Sequence, residues 1–245
     1  MLDAERIKLS TTRSVLWTAA GVALLSIGLA ALQASTAYGA APLPPEKAAM
    51  GVAIFGVPVL MVLAAMTVTG EYRSGMIRTT FMATPNRTLV LAAKAIVAAL
   101  FSAIYAAAMT IAAVVVARLM APPLVGSNLS FVDAWRLVGA IALYAALTAV
   151  LGVGVAALLR HSAGAVAVLL LWPLLVEPVL GNLPSISSEV GPYLPFANLF
   201  RFIDVQWLYP VYDMPWGEVG SLVYFAIVVA VIYAAAIVVV NRRDA

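Results

Sequence analysis

The sequence predicts an all-α polytopic membrane protein with six transmembrane helices, and three observations carry that reading. Sixty-four per cent of the 245 residues are hydrophobic and 10% are charged, at a mean hydropathy of +1.04. A soluble globule with that balance would lack the polar surface to face water. A bilayer core requires about 20 mostly apolar residues per helical crossing, and runs at about 14–34, 49–69, 89–117, 134–159, 163–180 and 219–240 meet that length. None of them alternates polar and apolar residues as barrel strands do, so each must satisfy its backbone within a helix. The chain reads as one transmembrane domain over 1–245.

Residues 1–13 are charged and weakly amphipathic, with Leu2 and Leu9 on a face that Ile7 does not join. They are expected to form an amphipathic helix along the membrane surface. The small residues Ala34, Ser35, Ala37, Gly39 and Ala40 look like a signal-peptidase site. The apolar run before them, however, exceeds the 7 to 15 residues of a signal h-region, and Asp3 and Glu5 precede it. The first span is therefore expected to stay. Pro42, Pro44 and Pro45 make 35–48 a turning loop, and Pro58 should kink or weaken the second span.

Between spans two and three a short charged amphipathic helix is expected over 71–82, stopped by Pro85 and Asn86. Helical spacing sets Tyr72, Met76, Ile77, Thr80 and Phe81 on one side and Glu71, Ser74 and Arg78 on another. Such a helix either rests on lipid headgroups or docks a soluble partner whose motion it passes to the neighbouring spans. The third span, 29 residues at 89–117, is about 43 Å long and must tilt or extend beyond the hydrocarbon. Lys94, two turns inside it, is expected to snorkel or remain in the cytosol in preference to the alternative, a buried functional lysine.

Arg160, His161 and Ser162 form a tight turn after span four. A lone histidine in a chain without cysteine completes neither a membrane haem nor a zinc site, and adjacent His161 and Ser162 do not face each other. No catalytic residue and no metal site is expected. Glu177, fourteen residues past Ala163, should lie about 21 Å along span five. It is a candidate intramembrane functional acid, or else it reaches water or pairs with Arg201 or Arg136. The segment 181–217 contains Pro184, Pro192, Pro195, Pro210 and Pro215, so it is not one helix. Eight aromatics fall in it between Tyr193 and Trp216. Two readings stay open: re-entrant outer helices before the last span, with 198–208 as one arm, or an aromatic belt at the membrane boundary.

If the amino terminus is cytoplasmic, ten of the fourteen basic residues fall on inner segments, while Lys47, Arg118, Arg136 and Arg201 remain outside. That bias places both termini in the cytoplasm and explains the basic balance without nucleic acid.

ERIKLSTTRSVLW at the start, TGEYRSGMIRTTFMATPNRTLVLAAK after span two, GVGVAALLRHSAGAVAVLLLW across the turn at Arg160 and NRRDA at the end together resemble the ABC type-2 permease family, almost end to end. The resemblance implies the transmembrane subunit of an ATP-binding cassette exporter. Such a subunit has six spans, an amphipathic amino-terminal helix, a cytoplasmic coupling helix between spans two and three, and re-entrant helices before span six. It also implies a bacterial cytoplasmic membrane location, separate ABC ATPase subunits that hold ATP and Mg, and a second permease chain, identical or related. The cargo would be amphipathic or hydrophobic: a drug, lipid or peptide. Glu71, Gly75, Pro85 and Lys94 match the family pattern, whereas Met76 stands where threonine is common.

The ATPase-coupling residues expected are Glu71, Tyr72, Arg73, Gly75, Met76, Ile77, Arg78 and Phe81. Glu71, Arg73 and Arg78 would supply charged contacts, with Tyr72, Ile77 and Phe81 packed on the ATPase or the spans. No GxxxxGK followed by serine or threonine is present, so no cofactor is expected in this chain and its energy must arrive from elsewhere. An ion-coupled secondary transporter would instead place charges at the midplane and show internal repeats. A non-transporting membrane scaffold is the third class.

Overall fold

The computed structural model describes residues 5, 7, 13–37, 43–122, 131–184, 186–205 and 209–242, and among them there is no β-strand. In chain order the helices are α1 (Arg13–Ser35), α2 (Pro45–Ser74), α3 (Met76–Ala83), α4 (Arg87–Met120), α5 (Phe131–Leu159), α6 (Ser162–Asn182), α7 (Ser187–Val190), α8 (Pro195–Phe202) and α9 (Glu218–Arg242). Six of these, α1, α2, α4, α5, α6 and α9, are long and apolar enough to cross a membrane, and they fall on the six expected runs. The expected amino-terminal helix lies outside the described residues except for Glu5 and Ile7, which are helical. Leu2 and Leu9 are not among them.

Local chemistry sets the helix ends. Pro45 opens α2 at its first turn, where its fixed φ suits a helix and its missing donor costs nothing; the loop expected over 35–48 is shorter as a result. The Asn86 side chain accepts from the Leu89 amide at 3.0 Å and caps α4. His161 does the same for α6, its Nδ1 accepting from the Gly164 amide at 3.1 Å. The one histidine is thus a helix cap.

Two spans contain a wide π turn immediately before a proline. Val52–Gly56 interrupts α2 ahead of Pro58, and Trp172–Val176 interrupts α6 ahead of Pro178. In each case the residue before the proline donates five residues back, Val57 to Val52 and Glu177 to Trp172. Proline cannot make the ordinary bond four residues back and its ring crowds that carbonyl. A π turn absorbs both problems inside a continuous helix. The weak point expected at Pro58 is therefore a local widening.

At the centre of the bundle are α2 and α5, with 72% and 67% of their most apolar stretches buried against 22–28% for the other four spans. Helix α5 packs against α2, α4, α6 and α9. In lipid no hydrophobic force drives helices together, so close packing of small residues matters most. Gly152 on α5 faces the backbone carbonyl of Met61 on α2 so closely that a Cβ would collide with it. Tyr144 adds a hydrogen bond across the same pair, donating to the Ala53 carbonyl at 3.3 Å. Gly152→Val should force α2 from α5 and destabilise the bundle by about 1–3 kcal/mol. Thermal unfolding in detergent checks this against Gly139→Ala, at an α5 position with open space, which should leave the transition in place.

Candidate functional site

The helix expected over 71–82 is two helices. Helix α2 continues through Glu71 to Ser74, Gly75 takes φ +71°, and α3 begins at Met76. The left-handed backbone region is costly for residues with a Cβ and open to glycine, so Gly75 ends one helix and starts another. Periodicity carried across that point misplaces side chains. Met76, placed with Tyr72 and Phe81 by helical spacing, is exposed, and Glu71 shares no face with Arg78. Ile77 is buried, while Tyr72 and Phe81 are partly buried and pack on the core. Arg73, Arg78, Thr79 and Met82 face outward.

Glu71 is not available to a soluble partner as an exposed contact. It is 6% exposed and accepts from Lys94 Nζ at 2.7 Å through Oε1. Lys94, expected to snorkel, is instead 3% exposed and also donates to both oxygens of Glu5 at 3.1 Å and to the Thr67 carbonyl at 3.2 Å. An ammonium with partners at its own depth has no reason to reach for water. The Thr80 hydroxyl on α3 is shared between the Met76 carbonyl at 3.2 Å and the other Glu71 oxygen at 3.4 Å. One cluster thereby joins the amino-terminal segment, α2, α3 and α4.

Around it, Arg87 Nη1 donates to the Val240 carbonyl at 2.9 Å and its guanidinium lies over the Phe81 ring at 5.1 Å. Asn241 donates to Thr88 at 3.0 Å, fixing the end of α9 to the start of α4. Arg160, at φ +54°, lies over the Tyr72 ring at 5.2 Å. Sequence reasoning missed Glu5. The available signal was a carboxylate before span one at the depth of a lysine within span three.

The opposite end of the bundle is organised on Glu177, which is fully buried. Trp172 Nε1 donates to its Oε1 at 2.7 Å, and the amides of Phe196 and Ala197 donate to its Oε2 at 2.8 and 3.2 Å. It caps the N-terminus of α8, where the helix dipole and free amides favour negative charge. Neither expected arginine pairs with it; Arg136 pairs with Glu218 at an exposed position.

The helix expected over 198–208 is α8, and it ends at Phe202 because Asp204 turns to φ +60°. Trp207 lies outside the described residues. The neighbouring aromatics pack inward: Phe196, Phe200 and Tyr209 are buried, and Phe196 meets Phe225 of α9 edge to face at 5.3 Å. Tyr209 donates to the Pro173 carbonyl at 2.8 Å, Tyr212 to that of Gly181 at 3.0 Å, and Trp216 to Asn198 at 2.7 Å. Burial pushes both tyrosine hydroxyls above their ordinary pKa, and the charge of Glu177 adds to it. At neutral pH they remain donors.

Lys94→Met strands two buried carboxylates and should cost about 3–5 kcal/mol, whereas Lys94→Met with Glu5→Gln and Glu71→Gln should recover most of it; thermal unfolding compares them. Glu177→Ala should cost about 1–3 kcal/mol and speed hydrogen exchange at the Phe196 and Ala197 amides, with Glu177→Gln losing less.

A family model described as ABC-2 family transporter protein matches residues 1–174 of the chain. No curated protein matches it.

Proposed function

This chain belongs to the ABC-2 transporter family, and from that premise we propose that it is the permease subunit of an ATP-driven exporter, with α3 as its coupling helix. The observation that carries the proposal is the division of labour in α3. One face is anchored through Ile77, Phe81 and the Thr80–Glu71 bond, and the other presents Arg78, Thr79 and Met82, with Arg73 just before the Gly75 turn. A partner that grips the free face pulls on an element tied to α2 and α4 by the Lys94 cluster. Because Glu71 belongs to the same helix as the span, its displacement tilts α2, and Lys94 carries the tilt into α4.

The partner would be a separate ABC ATPase subunit, with ATP and Mg held there, docked on the cytoplasmic side of a bacterial cytoplasmic membrane. A second permease chain would complete the passage for an amphipathic or hydrophobic substrate. Arg73 and Arg78 supply the charged contacts, a reassignment that leaves Glu71 to the interior.

Arg73→Glu with Arg78→Glu should lower retention of the ATPase subunit in pull-downs, and the complex's vanadate-sensitive ATP hydrolysis, tenfold or more, about 1.4 kcal/mol. Unchanged retention would remove α3 as the docking element. Since the native chain has no cysteine, a single Thr79→Cys labelled by an impermeant maleimide from the cytoplasmic side tests the orientation independently.

A further inference from the structure

We propose that the cavity between α8 and residues 209–214 binds the anionic head group of an amphiphile, with the Arg201 guanidinium as its cation. Arg201 stands in the last turn of α8. Its Nη1 is buried and meets no hydrogen-bond acceptor. No carboxylate among the described residues makes an ion pair with it; the paired ones go to other cations, Glu5 and Glu71 to Lys94 and Glu218 to Arg136. Arg201 as a whole is partly buried, but this nitrogen is a charged donor cut off from solvent, and a water or an anionic ligand must satisfy it.

Arg201 lines a cavity of about 100 Å³ together with Phe200, Val205, Tyr209, Tyr212 and Met214. That is below the roughly 300–1,000 Å³ of a site enclosing a drug-sized molecule, so it takes a head group and leaves the remainder outside. The hydroxyls of Tyr209 and Tyr212 already serve the Pro173 and Gly181 carbonyls. The guanidinium is therefore the charged donor of the wall, and its planar fork matches two oxygens of a phosphate or carboxylate. The apolar side chains around it favour an oxyanion carried on hydrocarbon over a free one. Binding needs no ATPase, so the assignment does not rest on the exporter reading.

The test uses the purified full chain in a neutral detergent, titrated with dihexanoyl phosphatidylglycerol, dihexanoyl phosphatidylcholine or inorganic phosphate, with the rise in unfolding temperature as readout. The native chain should respond to phosphatidylglycerol at concentrations at least tenfold below those needed for either other ligand. Arg201→Gln should remove that preference, Arg201→Lys should keep part of it, and Arg136→Gln should leave it intact. An equal response of the native chain to the two lipids overturns the proposal, as does an unchanged preference in Arg201→Gln. Inorganic phosphate matching phosphatidylglycerol overturns the amphiphile assignment. If Arg201→Gln does not fold, the comparison of ligands on the native chain decides.

Discussion

Lys94 sits with its ammonium between two buried carboxylates, and its donors reach Glu5, Thr67 and Glu71. An ion removed from water costs several kcal/mol unless its partners are close and well placed. Here the partners come from positions 89 and 23 residues away in the chain, so the cluster is satisfied only when the amino-terminal segment, α2 and α4 are assembled. That requirement fixes their relative register at the Gly75 end of the bundle. It also reaches α3, because the Glu71 oxygen left by Lys94 shares the Thr80 hydroxyl with the Met76 carbonyl, beside the contacts of buried Ile77 and partly buried Phe81. A purely apolar contact at this place would tolerate sliding; a shared ammonium does not.

The opposite end solves a similar problem without a cation. Glu177 is more deeply buried than Glu71, yet its oxygens are taken by an indole and two backbone amides. The π turn that accommodates Pro178 ends directly at Glu177, and α8 docks against α9 with the carboxylate at its N-terminus. Donations from Tyr209 and Tyr212 to α6 carbonyls and from Trp216 to the Asn198 side chain then tie the proline-rich stretch to α6 and α8. One end of the molecule thus holds the spans by ion pairing, the other by fixed dipoles, and the Arg201 guanidinium is left facing a cavity.

The six spans were legible because apolar runs of bilayer length have few alternative fates. The break at Gly75 was not, because helical periodicity assumes one axis and carries no information about a positive φ. Treating 71–82 as continuous turned Glu71 outward and Met76 inward, the reverse of the structure. Lys94 was misread for a related reason: its length permits snorkelling, and nothing within one turn showed that Glu5 and Glu71 would converge on it. Glu177 could be recognised as unusual from its position, but the amides that hold it come 19 and 20 residues later. The proline content of 181–217 indicated broken helices, whereas the start of α8 at Pro195 depends on a cap supplied from another helix.

The central claim is that the buried ammonium makes α3 and α4 move as one body. In a background without native cysteines, spin labels at Thr79 on α3 and at the exposed Ile104 on α4 report their separation by double electron–electron resonance. The native chain should give one narrow distance distribution, and Lys94→Met should broaden it or split it while the remaining spans stay folded. An equally narrow distribution at the same distance in both proteins would contradict the account.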